Sequence, residues 1–278
     1  MTELRRMRPL LGTFVEVGAR GHSAPQAIAA AFDCIERAQG WWSFQDPDSE
    51  LSRLNRAPGT RVALQVHTVR LLRLAAALMR RSGGGFDCTL GGALVQRGAL
   101  PDHGGLAPLS RGDADDVEIG PRWARLRRPV RLTLDGIAKG YAVDLAIGAL
   151  RQAGVDAGWV NAGGDLRVFG NRALPIQRRE LDGRLTSLGA LRNAAVASSQ
   201  AGVGRFSSDT AFPGHILGPN GEPPATGVWT VLARSAWRAD ALTKIAANAP
   251  ARQRAALVHS LGGCLLAPDP TDVMVAAA

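Results

Sequence analysis

The period of the apolar residues switches repeatedly along this chain, and that switching constrains the fold more than any other feature. Gly12 to Val17 (GTFVEV) alternates as a half-buried strand does, whereas Ala24 to Gln39 has apolar residues at helical spacing, with Pro25 suited to a first turn. WWSFQDPDSELSRLN predicts a loop feeding a short helix, because Asp48, Ser49 and Glu50 precede a Leu51/Leu54 repeat. His67 to Arg80 predicts a second amphipathic helix, halted by Gly83-Gly84-Gly85 before Phe86 and Asp87. Val117 to Leu134 reads as two or three short strands and Lys139 to Gln152 as a helix. Val155 to Asp165 reads as a strand and glycine turn, with Leu166 to Phe169 returning. Short strands among turn formers are expected from Arg172 to Thr226. A strand then begins at Thr230, a helix covers Ala236 to Ala247, and a last sheet edge follows Gly262-Gly263. No repeat, low-complexity block or linker interrupts the series. The expected fold class is therefore α+β, one packed unit over 1–278 with antiparallel or mixed sheets.

Composition narrows the chemistry. With 278 residues, 46% of them hydrophobic and 21% charged, the chain can build a core without staples, which excludes collagen-like, coiled-coil and wholly disordered readings. Cys34, Cys88 and Cys264 are odd in number and widely spaced, so reduced, mostly buried thiols are expected. The basic start MTELRRMRPLLGTF lacks the apolar run of a leader. Nothing approaches the roughly 18 apolar residues of a membrane span, so a cytoplasmic protein is expected.

The net charge of +9 suits a polyanion or a phosphate-bearing small ligand. Nucleic acid is disfavoured: the basic residues are scattered, and aromatics, at 5%, are too few for stacking platforms. The densest basic group (Arg122, Arg125, Arg127, Arg128 and Arg131) reads as the surface of a hairpin. Of 33 basic residues only two are lysines, Lys139 and Lys244. Where arginine dominates so strongly, a lysine marks a place that wants a compact, rotatable ammonium instead of a planar fork.

Four constellations could carry chemistry. LTLDGIAKGYAVD (Leu132 to Asp144) sets a carboxylate, glycines and Lys139 at a strand-to-helix junction, where free backbone N–H groups attract phosphate; its plain alternative is a tight turn with a solvated lysine. The spacing is not that of a Walker A loop. NAGGDLR (Asn161 to Arg167) offers a buriable carboxylate or, more plainly, a glycine turn capped by Asp165. In AWRADALTK, Asp240, Thr243 and Lys244 share one helix face, so their oxygens could bind a hard cation such as Mg²⁺, against the plainer reading of an Asp–Lys surface pair. His215, in the loop PGHILGP, is the histidine best placed to act as a base.

Taken in order, eight segments resemble the ApbE family of flavin transferases, which move FMN from FAD onto a protein threonine or serine. They are RPLLGTFVEV, FQDPDSELSRLN, GGFDCTLGGAL, LTLDGIAKGYAVD, VNAGGDLRVFG, AVASSQ, GHILGP and SAWRADALTK, spread over nearly the whole chain. The resemblance implies a flavin nucleotide site formed by Leu11, Phe44, Gln45 and Asp46 together with Gly85, Phe86, Asp87 and Lys139. It implies Mg²⁺ held by the carbonyl of Ala138 and the side chains of Asp240 and Thr243, with Asp240 and His215 in catalytic roles. The partners implied are FAD as substrate and an acceptor flavoprotein with a Thr/Ser flavinylation site. In such chemistry a metal on the pyrophosphate neutralises the charge that builds as AMP leaves.

This sequence departs from the family pattern at informative places. The family commonly has threonine or serine four residues after the helix aspartate; here Lys244 stands there and Thr243 comes one residue early. Gly218 replaces the aspartate of HIIDP, Leu11 the methionine of MGT, and the TSG segment reads Ser198-Ser199-Gln200. Two rival functions follow: an FAD-binding protein of weak activity, favoured by the altered metal helix, and a metal-dependent FAD pyrophosphatase in which water replaces the acceptor hydroxyl.

Overall fold

The computed structural model describes residues 3–202, 216–218 and 223–266. The chain opens with β1 (Leu4–Leu10) and β2 (Thr13–Arg20), then α1 (Ala24–Trp42), α2 (Glu50–Arg56), β3 (Val62–Ala63), α3 (Val66–Arg81) and α4 (Gly91–Gln96). It continues through β4 (Val117–Ile119), β5 (Trp123–Leu126), α5 (Ala138–Gln152), β6 (Ala157–Ala162) and β7 (Asp165–Gly170). Next come β8 (Leu174–Arg179), β9 (Leu185–Leu191), β10 (Ala195–Ala201), β11 (Gly227–Ala233), α6 (Ala236–Asn248), α7 (Ala251–Ser260) and β12 (Gly263–Leu266). The α+β expectation holds.

Among the described residues, seven strands form one sheet in the order β1-β2-β6-β7-β10-β11-β12, and every neighbouring pair is antiparallel. Strand alternation decides what each face meets. Val15, Val17, Val160 and Ala197 pack under Ile28 and Phe32 of α1 and Ile147 of α5. Trp159, Val168 and Val196 point the other way and meet Ile176 and Leu191 of the separate β8–β9 hairpin. Full burial of such side chains stabilises by about 1.5–3 kcal/mol each. Gly18, opposite Trp159 in the β2–β6 register, makes room for that ring: a Cβ there would lie 2.3 Å from the indole nitrogen. A third core joins α2, α3 and the small antiparallel sheet β3-β5-β4 to α6 and α7.

Local signals account for several boundaries. Ser49 caps α2, its Oγ accepting from Ser52 N at 3.0 Å, as the DSE start predicts. Two expectations need correction. Of the three free cysteines only Cys88 is buried, its thiol pushed up to about 12 by that burial; Cys34 is half-buried and Cys264 exposed. Arg131 is no part of an exposed hairpin surface. It is buried, and its guanidinium donates to the carbonyls of Asn55, Gly104 and Leu106, so it staples loops that local sequence does not connect. Among the described residues, no helix is long and apolar enough to cross a membrane.

The contact between α5 and α6 positions the polar centre. At Gly140 the helices approach so closely that a Cβ would fall 2.4 Å from the Ala236 carbonyl oxygen. Asp144 fixes the start of α6, its carboxylate accepting from Ala236 N at 2.9 Å and Trp237 N at 3.0 Å while pairing with Arg167 at 2.5 Å. Burial raises the Asp144 pKa, against the pull of Arg167 and those two amides.

Candidate active site

The 136–140 turn and the 240–244 face of α6, far apart in sequence, are in contact. Gly140 N donates to Asp240 Oδ2 at 3.1 Å, and a Cβ on Gly136 would lie 3.7 Å from the Lys244 stem. Both lysines of the sequence meet here, each on a buried carboxylate. Lys139 Nζ lies 3.2 Å from Asp165 Oδ2, and Lys244 Nζ pairs with Asp240 Oδ1. Asp240 and Thr243 are fully buried, so the Asp–Lys pair is no surface pair.

Charge is concentrated at this junction. Asp165 is pushed up to about 7, first by burial and then by the charge of Asp240, with Lys139 and Lys244 opposing. Lys139 is raised, chiefly by Asp165, with Asp240 and Asp135 adding to the effect. The helix start contributes less than the sequence implied. The amides of Ile137 and Ala138 donate to Leu134 O and that of Gly140 to Asp240, so the positive charge comes from the two ammonium groups.

Two clefts open on either side of Asp135. One, of about 540 Å³, is lined by Leu11, Phe44, Gln45, Asp135, Ala138 and Lys139. The other, of about 120 Å³, is lined by Gly85, Phe86, Asp87, Gly136 and Lys244 among others. Leu11 stands at φ 55°, a left-handed conformation unusual for a branched side chain, and its N–H donates to Gln39 Oε1 at 2.7 Å.

Two expected residues have other partners. Asp46 does not line the larger cleft; its carboxylate accepts from Asp48 N at 2.9 Å and closes the turn before α2. Asp87 lines the smaller cleft, with its carboxylate engaged by Arg111 at 2.6 Å and by Thr89. His215 lies outside the described residues.

Asp165 and Ser199 join the junction as well. Of the two readings of NAGGDLR the buriable carboxylate holds: Asp165 is buried, and the Gly163-Gly164 turn is closed by Asn161, whose Oδ1 accepts from Gly164 N at 3.0 Å. Ser199 Oγ lies 2.6 Å from Thr243 Oγ1 and accepts from Lys244 Nζ at 3.0 Å. Its signal was its place in the AVASSQ segment.

The donor set does not fit the divalent cation that the resemblance implies. Such an ion takes several oxygens, carboxylates foremost. Here the Lys244 ammonium engages the Asp240 carboxylate and the Asp240 carbonyl, the latter at 3.2 Å, and the Thr243 hydroxyl is spent on that same carbonyl at 2.7 Å. Among the described residues, no group of three or more acidic, histidine or cysteine side chains could hold a metal.

The sequence model of the ApbE family matches residues 11–266. The chain is 30% identical over 181 residues to the FAD:protein FMN transferase of Rhodobacter capsulatus, a match covering 58% of this chain and 34% of that protein, so it spans about a third of that relative's length. It is 27% identical over 237 residues to the FAD:protein FMN transferase of Vibrio cholerae, covering 75% of this chain and 69% of that one. The crystal structure of the ApbE protein of Thermotoga maritima superposes with a TM-score of 0.80 at 26% identity, covering 95% of this chain and 94% of that one. The family match runs from the turn after β1 to the end of β12, the architecture agrees with it, and this chain belongs to the ApbE family.

Proposed function

We propose that this chain is a flavin transferase that moves FMN from FAD to a threonine or serine hydroxyl of an acceptor flavoprotein and releases AMP. One observation carries the reading: the two lysines of the chain converge, each on a buried carboxylate, where two clefts meet. An elongated dinucleotide laid across Asp135 would bring its diphosphate to that charge. In the transfer, the acceptor oxygen bonds to the phosphorus on the FMN side. The bond from that phosphorus to the bridging oxygen breaks, AMP leaves with the electron pair, and a base takes the hydroxyl proton.

The chain's own groups account for binding and charge. Lys139 and Lys244 lie against the diphosphate, where positive charge counts most as negative charge builds on AMP. Asp165 and Asp240 act through those lysines and are positioning residues. His215 is the base in this reading, on the strength of the sequence alone. Mg²⁺ has no part in this reading, because the Lys244 ammonium already engages the Asp240 carboxylate on which such an ion would depend.

The test is incubation with FAD and a candidate acceptor. The expected result is an acceptor heavier by one FMN unit, with AMP released in equal amount and both lost when the acceptor hydroxyl is removed. Free FMN and AMP without acceptor would mark a pyrophosphatase instead. Bound but unreacted FAD would support the second reading, a binding protein, which the lysine on Asp240 specifically favours.

A further inference from the structure

We infer that the Lys244 ammonium stands in for a divalent cation, so that this chain binds the diphosphate of FAD with a charge built into its own sequence and without Mg²⁺. The inference rests on the proposed function for the identity of the ligand. It rests on the junction for everything else.

Lys244 stands one helical turn after Asp240, which puts both side chains on one face of α6. Its stem runs beside Gly136, where a Cβ would lie 3.7 Å from it in ordinary contact, and it forms part of the wall of the smaller cleft. Its ammonium meets Asp240 Oδ1, Ser199 Oγ at 3.0 Å and the Asp240 carbonyl at 3.2 Å. These are the oxygens a small hard cation would gather, and an ammonium with three donors satisfies them in its place.

Geometry also opposes having both. A divalent ion on Asp240 would sit against the ammonium, and the repulsion between the two is large wherever water is scarce. The Lys244 side chain is only 17% exposed, with its stem walled in by the turn. The remaining oxygens are few: Thr243 donates to the Asp240 carbonyl, and Gly140 N already occupies Asp240 Oδ2.

The experiment is FAD titration of the whole chain in EDTA and in MgCl₂, paired with Mn²⁺ binding followed by electron paramagnetic resonance in the absence of FAD. For the wild type, FAD affinity is expected to change less than about twofold between EDTA and MgCl₂, with no bound Mn²⁺ signal. Lys244→Met, similar in volume, should lose about tenfold or more in FAD affinity in EDTA, as expected when one charge-assisted contact is removed. Lys244→Thr should bind Mn²⁺ and regain FAD affinity only in MgCl₂, with a melting temperature that rises on adding the metal.

Wild-type FAD binding that collapses in EDTA would overturn the inference while leaving the proposed function standing, and so would a Mn²⁺ signal from the wild type. Lys244→Met binding FAD like the wild type in EDTA would overturn it as well. Absence of FAD binding by the wild type in both buffers would overturn the proposed function together with this inference. The wild-type arms need no variant to fold.

Discussion

In the small sheet, Arg128 grips Asp116 through two nitrogens, at 2.5 and 2.6 Å, and reaches Asp113 at 3.2 Å, while Arg125 grips Glu118. At the α5–α6 junction the same two signs of charge meet, but as lysines on carboxylates sealed from water. The titrations run in opposite directions. The hydrogen bond from Arg128 holds Asp116 below the usual carboxylate range, and Arg125 does the same for Glu118. At the junction, burial and the neighbouring Asp240 drive Asp165 up to about 7. A planar fork open to solvent satisfies its carboxylate and leaves a structural staple. Two carboxylates crowded in a dry space, each holding a single ammonium, keep two point charges fixed beside the clefts, where a ligand can reach them.

The contrast breaks most visibly if the junction carboxylate is removed. Asp240→Ala strands the Lys244 ammonium in a buried position and is expected to cost about 3–5 kcal/mol in urea unfolding, and to abolish flavin transfer. Near wild-type stability would mean that the junction is no more demanding than the small sheet. Next comes packing: Gly140→Ala drives a methyl group into the Ala236 carbonyl, and an overpacked contact of this kind costs about 1–3 kcal/mol. Calorimetry should show a lowered Tm, with weakened FAD binding because α5 and α6 are forced apart.

Stability against pH sharpens the comparison, because the two regions contribute with opposite sign. Asp165, raised in the folded chain, keeps between the ordinary carboxylate value of about 4 and its folded value near 7 a proton that the unfolded chain has lost. Its contribution is therefore full below about 4 and declines as pH rises towards 7. Asp116, lowered in the folded chain, contributes above about 4 and loses that contribution as pH falls through its folded value. Unfolding series on Asp165→Asn and Asp116→Asn should each flatten a different limb of the profile. Flattening of the same limb by both would contradict the assignment. The smallest effect is expected at Arg80, whose pair with Asp115 at 2.9 Å is largely exposed: Arg80→Ala should change unfolding free energy by about 0.5 kcal/mol or less.

Much of the scaffold was legible because its signals are local. The alternation of GTFVEV, the spacing of apolar residues in α1, α3 and α6, and the cap at Ser49 each act within a few residues, and each element formed where those signals lie. β1 and α7 carry weaker patterns. β1 is a basic edge strand whose side chains are mostly exposed, and α7 buries only Val258 fully, so neither shows a clear apolar period. The junction was half legible: its two lysines stood out by rarity and Asp240 and Asp165 by their motifs, but that Lys139 pairs with Asp165 and that Ser199 reaches Lys244 did not.

By its own order, then, the sequence determined the succession of strands and helices, the glycines where backbones approach, and an α6 face bearing Asp240, Thr243 and Lys244. Only the tertiary structure decided that Lys139 of α5 would find Asp165 at the start of β7, that Ser199 would arrive from β10, and that Lys244 would turn inward onto Asp240. The reason is physical. Periodicity and capping are properties of neighbouring residues, whereas the direction of an amphipathic lysine is set by which surfaces enclose it, and those come from distant strands and helices brought together by burial of the shared core.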